Sequence, residues 1–420
     1  MASVPIKDRK FDTQVQYLKY KVLREVARYA FEDRLLDAYT EIPKLIVKEK
    51  PTMRCCIYKE RAIVEERIKL AMGGDKNNPN VIEVIDIACD ECPMSGYNVS
   101  DACRGCIAHR CEDACRRGAI TFDEHLHAHI DKSKCVECGQ CAKVCPYSAI
   151  VNQKRPCENA CKIKAISMAD SGAAHIDNET CISCGACVYQ CPFGAIVDKS
   201  FILDVVDMIK KSDHNENYKL YAVVAPSISS QFSYAKLGQV ITGIQELGFF
   251  HVVEAALGAD MVSYAEAAEL AEKGFLTSKP YIDSCITFEE LQALFDSRDI
   301  DLKSLPEGVL DNASYYGRIF ARSGGLSDAV TQALKEQGLD QTFELKAIAC
   351  DGIEACRMAL LKASKKVLPA NFIEGMACIG GCIGGAGCLT HGDKNKADVD
   401  KYGMEAMEKT ITDAIGVLKK

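Results

Sequence analysis

No stretch of this 420-residue chain is apolar over the ~20 residues that span a bilayer, so no membrane partner is expected. Basic charge is not in excess. Lysine and arginine number 51 against 59 acidic residues, for a formal net charge of −8, which argues against nucleic acid as a partner. The opening stretch MASVPIKDRKFDTQVQYLKYKVLREVARYAFEDRL lacks the apolar segment of a secretory leader. A cytoplasmic location is the expectation. Long periodic segments are also scarce between residues 85 and 200, so hydrophobic packing has little to build with there. The chain as a whole is 48% apolar, enough for a sizeable core elsewhere.

Cysteine is what the chain has in abundance. There are 24, and 18 of them fall between Cys55 and Cys191. In a reducing compartment, clustered cysteines signal metal. A disulfide-rich secreted domain is the alternative, and the C-x2-C spacings and missing leader speak against it.

Three regions follow. Residues 1–80 carry helical apolar spacing, as in VQYLKYKVLREVARYAFEDRLLDAY, and predict a small helical region ending at the turn-rich MGGDKNNPN. Residues 85–205 form an iron–sulfur region in which metal replaces the core. Residues 215–420 alternate strand-like YKLYAVVAPSIS with the amphipathic KLGQVITGIQELGF, SYAEAAELAEKG and TFEELQALFDSR, which predicts an α/β domain. The expected class is therefore mixed, α+β and α/β.

An internal repeat organises the middle region. CEDACRRGAI, CAKVCPYSAI, CENACKIKAI and CVYQCPFGAI share C-x3-C followed by Ala-Ile. Two segments, CVECGQCAKVCP and CISCGACVYQCP, have the C-x2-C-x2-C-x3-C-P spacing of two-cluster ferredoxins, in which the fourth cysteine ligates the other cluster. The spacing thus predicts a two-cluster module over 130–200. Cys135, Cys138, Cys141 and Cys191 would hold one [4Fe–4S] cluster, and Cys181, Cys184, Cys187 and Cys145 the second. Zinc would leave the third cysteine and the proline of each motif unexplained. Cys103, Cys106, Cys111, Cys115, Cys157, Cys161, Cys89 and Cys92 supply the ligand count of two further clusters. Their pairing stays open, and Cys89 with Cys92 could instead be zinc ligands or idle. Cys55 and Cys56 are unassigned.

Near the C-terminus lies EGMACIGGCIGGAGC, from Glu374 to Cys388. It resembles the last signature loop of [FeFe] hydrogenases, E-x-M-A-C-x-G-G-C-x-x-G-G. Glu374, Met376, Ala377, Cys378, Gly380, Gly381, Cys382, Gly384 and Gly385 match. The resemblance implies that Cys378 ligates the cubane of the H-cluster and that Cys382 bridges it to the two-iron subsite. On that view the glycines let the chain approach a bulky cofactor. VVAPSIS, VVEAALGADMVSYAEAAEL and DNASYYGRIFARSGGLSDAV also look like this family's catalytic domain, and the cysteine-rich N-terminal part resembles its multi-cluster subgroup. The resemblance puts Glu266 and Glu269 on the family's proton-path positions. It implies reversible reduction of protons to H2, with electrons from a ferredoxin or other low-potential carrier.

The chain departs from the pattern at two loops. The family's T-S-C-C-P and P-C-x-x-K motifs, each carrying a cubane ligand, are missing. EKGFLTSKPYIDSCITFEELQALF keeps Thr277 and Ser278 and then jumps past both. Cys285, Cys350, Cys356 and Cys388 are the spare thiols that could compensate or bind another metal; otherwise they are small buried side chains. Three readings follow: an H-cluster enzyme with substitute ligands, a non-catalytic electron-transfer or redox-sensing protein that keeps the cubane relay, or a sequence from which an internal segment has been lost.

Overall fold

The computed structural model describes residues 11–169, 171–269 and 282–416, the side chains of 266–269 excepted. The chain forms two compact units. The larger comprises Met1–Glu83, Ile182–Gly185 and Val197–Lys420; the smaller comprises Val84–Cys181 and Ala186–Ile196.

The first helix, α1 (Gln14–Phe31), starts at a capping box. Gln16 N donates to Thr13 Oγ1 at 3.1 Å and Thr13 N to Gln16 Oε1 at 3.2 Å, which satisfies two otherwise orphaned donors. Leu18, Val22, Leu23, Val26 and Ala27 form its buried face, at the spacing of one helix stripe. Next comes α2 (Ile57–Ala71), whose N-cap is Cys56, with its Sγ accepting from Lys59 N at 3.4 Å.

Eight short strands follow: β1 (Ile82–Val84), β2 (Gly96–Val99), β3 (Ile120–Phe122), β4 (Ala128–Ile130), β5 (Ile150–Gln153), β6 (Ile166–Met168), β7 (Ala174–Ile176) and β8 (Ile196–Asp198). The pairs β2–β5, β3–β4 and β6–β7 are antiparallel, and β1 pairs with β8. The pairing is nested. Residues 96–153, closed by β2 and β5, form an inner module. It is inserted into an outer one that begins at β1 and resumes at Pro156.

The remainder alternates helix and strand: α3 (Ile202–Ser212), β9 (Tyr221–Val224), α4 (Leu237–Glu246), β10 (His251–Glu254), α5 (Ala255–Glu269), α6 (Phe288–Ser297), α7 (Gly325–Glu336), β11 (Ala347–Asp351), α8 (Ile353–Ser364), β12 (Phe372–Met376) and α9 (Lys394–Met404). β9 pairs with β10 and β11 with β12, both parallel, as the βα alternation requires.

The N-terminal helices are not a separate body. α1 and α6 share one core, in which Val22, Leu23 and Val26 join Leu291, Leu294 and Phe295. Lys19 bridges Glu289 at 2.6 Å and Asp198 at 2.7 Å. A period-3.6 stripe shows that a helix buries a face, but not against which segment.

Candidate iron–sulfur centres and glycine-rich loop

The four C-x3-C…Ala-Ile segments fold alike, and the fold explains the repeat. Cys115, Cys145, Cys161 and Cys191 each accept the backbone N–H of the alanine four residues on. Ala119, Ala149, Ala165 and Ala195 donate at 3.3, 3.4, 3.2 and 3.2 Å. The residue before each alanine takes positive φ: Gly118 at 58°, Ser148 at 52°, Lys164 at 58° and Gly194 at 59°. That twist turns the alanine N–H back onto the sulfur. Each alanine and the isoleucine after it are buried. A hydrogen bond to a thiolate sulfur is one of the levers that sets a cluster's potential.

Two cavities carry four thiols each. Cys103, Cys106, Cys111 and Cys145 line one, walled by Phe122, Pro146, Tyr147 and Ile150. Cys89, Cys92, Cys157 and Cys191 line another, with Arg155, Pro156 and Phe193. The thiols influence one another in the same groups. Burial raises Cys111, with Cys106 and Cys145 adding to it. Burial pushes Cys157 up to about 11, with Cys191 and Cys89 adding to it. Burial likewise raises Cys141, with Cys115 and Cys135 among its causes. Such thiols are deprotonated only when a metal takes the proton's place.

The residues fit a polynuclear cluster. Among the described residues no three His, Cys, Asp or Glu side chains converge tightly enough for a single metal ion. Four thiols spread around a cavity suit a cubane, whereas one tetrahedral zinc needs a tight knot. Arg155 also lines the second cavity, and its buried Nη1 has no hydrogen-bond partner.

The thiols that line these cavities differ from the ligand sets expected. Cys145 lies with Cys103, Cys106 and Cys111, not with Cys181, Cys184 and Cys187; Cys191 lies with Cys89, Cys92 and Cys157, not with Cys135, Cys138 and Cys141. The physical reason is the nesting, because each module folds back on its own cysteines. The signal was present in the sequence. Cys111, Cys115, Cys135, Cys138, Cys141 and Cys145 recur 46 residues later as Cys157, Cys161, Cys181, Cys184, Cys187 and Cys191. The leading pairs correspond too. Ala128 N donates to Cys103 Sγ at 3.5 Å, and Ala174 N, again 46 residues on, donates to Cys89 Sγ at 3.3 Å.

In the larger unit, β12 leads into the glycine-rich loop. Glu374 is fully buried and accepts from Gly324 N at 2.7 Å, Ser327 N at 2.9 Å and Ser327 Oγ at 2.6 Å. It thereby anchors the N-terminus of α7, where a carboxylate is favoured. Two of the glycines are required by the protein itself. A Cβ on Gly384 would lie 1.9 Å from Ile379 O, and one on Gly381 would lie 2.8 Å from Ala321 O. Close approach to a cofactor is therefore not their sole reason.

The described thiols of this domain sit in different surroundings. Cys378 is half-buried, and burial, Cys382 and Cys184 all push its thiol up. Cys382 is exposed. Cys388 is buried, its thiol raised to about 12 by burial, and its S–H donates to Cys382 O at 3.3 Å. The Cys356 S–H donates to Cys350 O and Met376 O, both at 3.6 Å, while Cys350 is buried in β11 and Cys285 is exposed. Glu266 and Glu269 fall in the last turns of α5, and their side chains lie outside the described residues, as do Thr277 and Ser278. His391 fastens the loop, with Nδ1 against Asp12 Oδ2 and Nε2 against Gly385 O, both at 2.9 Å.

Known proteins divide the chain in the same way. The C-terminal domain of the iron only hydrogenase large chain matches in two pieces, residues 218–285 and 269–386. The pieces meet where the two loops are missing. A 4Fe-4S dicluster domain matches residues 102–149, the inner module, and a 4Fe-4S binding domain matches residues 174–197. Among curated proteins, the B component of the ion-translocating oxidoreductase complex of Methanosarcina acetivorans is 46% identical over 57 residues, 13% of this chain and 21% of that protein. The electron transport protein HydN of Escherichia coli is 35% identical over 65 residues, 15% of this chain and 37% of that protein. The chain thus spans about a fifth and just over a third of these relatives' lengths.

These matches and the cysteine geometry define an iron–sulfur protein with multiple [4Fe–4S] clusters. More particularly, the chain is [FeFe]-hydrogenase-like, with a C-terminal domain of that type behind ferredoxin-like modules.

Proposed function

We propose that this chain is an electron-transfer protein with four [4Fe–4S] clusters. Their ligands are Cys103, Cys106, Cys111 and Cys145; Cys135, Cys138, Cys141 and Cys115; Cys89, Cys92, Cys157 and Cys191; and Cys181, Cys184, Cys187 and Cys161. The observation that carries it is the meeting of Cys145 and Cys191 with the opposite motif of their own modules in four-thiol cavities. Cys161 joins the last set by its 46-residue equivalence to Cys115. When bound, such clusters accept and release electrons at potentials set by charge, hydrogen bonding and exposure. The chain supplies the thiolates, the N–H donors and the apolar walls.

The partner in this reading is a ferredoxin or another low-potential carrier, in line with one relative named as an oxidoreductase component and another as an electron transport protein. Production of H2 is the second reading, favoured by the nine matching positions of the Cys378–Cys382 loop. The missing loop ligands weigh against it. Anaerobic reconstitution tests both. About 16 iron atoms per chain are expected for four cubanes, and about eight would sink the four-cluster assignment. No H2 is expected from reduced methyl viologen after maturation with a synthetic diiron subsite. Turnover abolished by Cys382→Ser would restore the hydrogenase reading.

A further inference from the structure

The 46-residue repeat makes the inner and outer modules near-copies, so a departure from it at a cluster cavity carries information. One such departure is at Arg155, whose counterpart 46 residues earlier is His109. Arg155 is 4% exposed. Its Nε donates to Pro93 O at 3.2 Å and its Nη2 to Cys92 O at 3.4 Å. These two bonds pin the planar guanidinium. The third nitrogen, Nη1, is buried and has no partner, and the side chain lines the cavity of Cys89, Cys92, Cys157 and Cys191. A buried charged donor left unmade is expensive, so a fixed one beside a cavity points to what fills the cavity.

The inner module has no such group. The His109 ring stacks on Phe122 at 3.9 Å and its Nδ1 pairs with Glu112 Oε2 at 3.2 Å. Arg104 and Arg110 line the inner cavity, but both are exposed, where water screens their charge.

Resting on the four-cluster reading, we infer that Arg155 donates through Nη1 to the cluster held by Cys89, Cys92, Cys157 and Cys191 and raises its potential above that of its inner-module counterpart. Adding an electron makes a cluster one unit more negative. A fixed cation in a low-dielectric site favours that state, and a donated hydrogen bond to a cluster or cysteine sulfur acts in the same direction. The outer cluster then becomes the station where electrons collect. Arg155 is a tuning residue here, not a ligand.

The test is a redox titration of the reconstituted full-length chain followed by electron paramagnetic resonance, with iron counted in parallel. Arg155→Gln keeps a donor and removes the charge. It is expected to hold its iron and lower the equilibrium constant for reducing one cluster at least tenfold, a shift of about 59 mV for one electron. Arg155→Lys keeps the charge and should stay within threefold of wild type. A Gln variant with full iron and unshifted potentials overturns the proposal. If the Gln variant sheds a cluster because the Cys92 loop is loosened, the Lys variant decides. Full iron with an unshifted potential supports the charge role, and a tenfold fall despite the retained charge overturns it. Failure of the four-cluster reading would show separately, as low iron in the wild-type chain.

Discussion

At the scale of single residues, the cysteine pairing makes a sharp prediction. Cys111 and Cys145 belong to one cavity, so Cys111→Ser, Cys145→Ser and the double variant should each lose the same single cluster. Cys145→Ser combined with Cys191→Ser should lose two. Iron content and the count of paramagnetic signals after reduction check this. Losses that add for Cys111 and Cys145 would mean that the two thiols serve different clusters. His391 offers a second prediction, in pH. Burial opposes its charge, but the Asp12 carboxylate and the Gly385 carbonyl outweigh burial and raise its pKa. A raised histidine pKa contributes stability that is complete below the unfolded value, about 6.5, and is lost as pH rises through the folded value. The urea midpoint of the larger unit should therefore fall as pH rises above about 6.5. Asp12→Asn should flatten that part of the profile.

At the scale of elements, a buried ion pair ties several of them together. Arg318 lies in the short helix Tyr315–Arg318 and is 1% exposed. Its Nε and Nη2 donate to Glu254 at the end of β10, at 2.9 and 2.8 Å, and its Nη2 also reaches Asp311 at 2.8 Å. Nη1 donates to Tyr402 O on α9 at 3.1 Å. Glu254→Gln removes one partner of a buried pair and should cost ~3–5 kcal/mol, read from the denaturant midpoint. These elements were legible to different degrees. α1 and α6 announced themselves by apolar period, which is a local signal. β9 and α4 fell where the apolar run and the amphipathic stretch put them. The reason for the glycines at 381 and 384 was not legible, because the colliding atoms on Ala321 and Ile379 become neighbours only in the fold. The grouping of the thiols around the two cavities was legible in the 46-residue offset. It was obscured by motif spacing, which names the thiols that start a cluster but not the remote one that completes it.

At the scale of the whole chain, the two units are held by different forces. The larger buries a broad apolar set including Leu23, Val26, Ile241, Ile244, Leu294 and Phe295. In the smaller, Ile120, Ala128, Cys141 and Ile150 form one buried cluster, and its described buried apolar side chains are alanine, cysteine and isoleucine, none of them aromatic. Metal binding must then supply much of its folding free energy. Removing the iron by oxidation and chelation should abolish hydrogen-exchange protection in strands β3 to β7 while α1 and α6 keep theirs. Equal loss in both would mean that the larger unit also depends on the clusters.

The nesting of one module in the other bears on how such a chain could grow. Gly96 and Gln153 face each other across the β2–β5 ladder, so the inner module leaves its host through two neighbouring backbone points. Closely spaced ends are what make a segment removable or insertable without disturbing its surroundings. A duplicated copy could thus have entered the loop after Cys92 without breaking the host's ladder. The reverse operation should also work. Excising residues 96–153 and closing the gap with a short glycine link should leave an outer module that still collects about eight iron atoms on two cubanes.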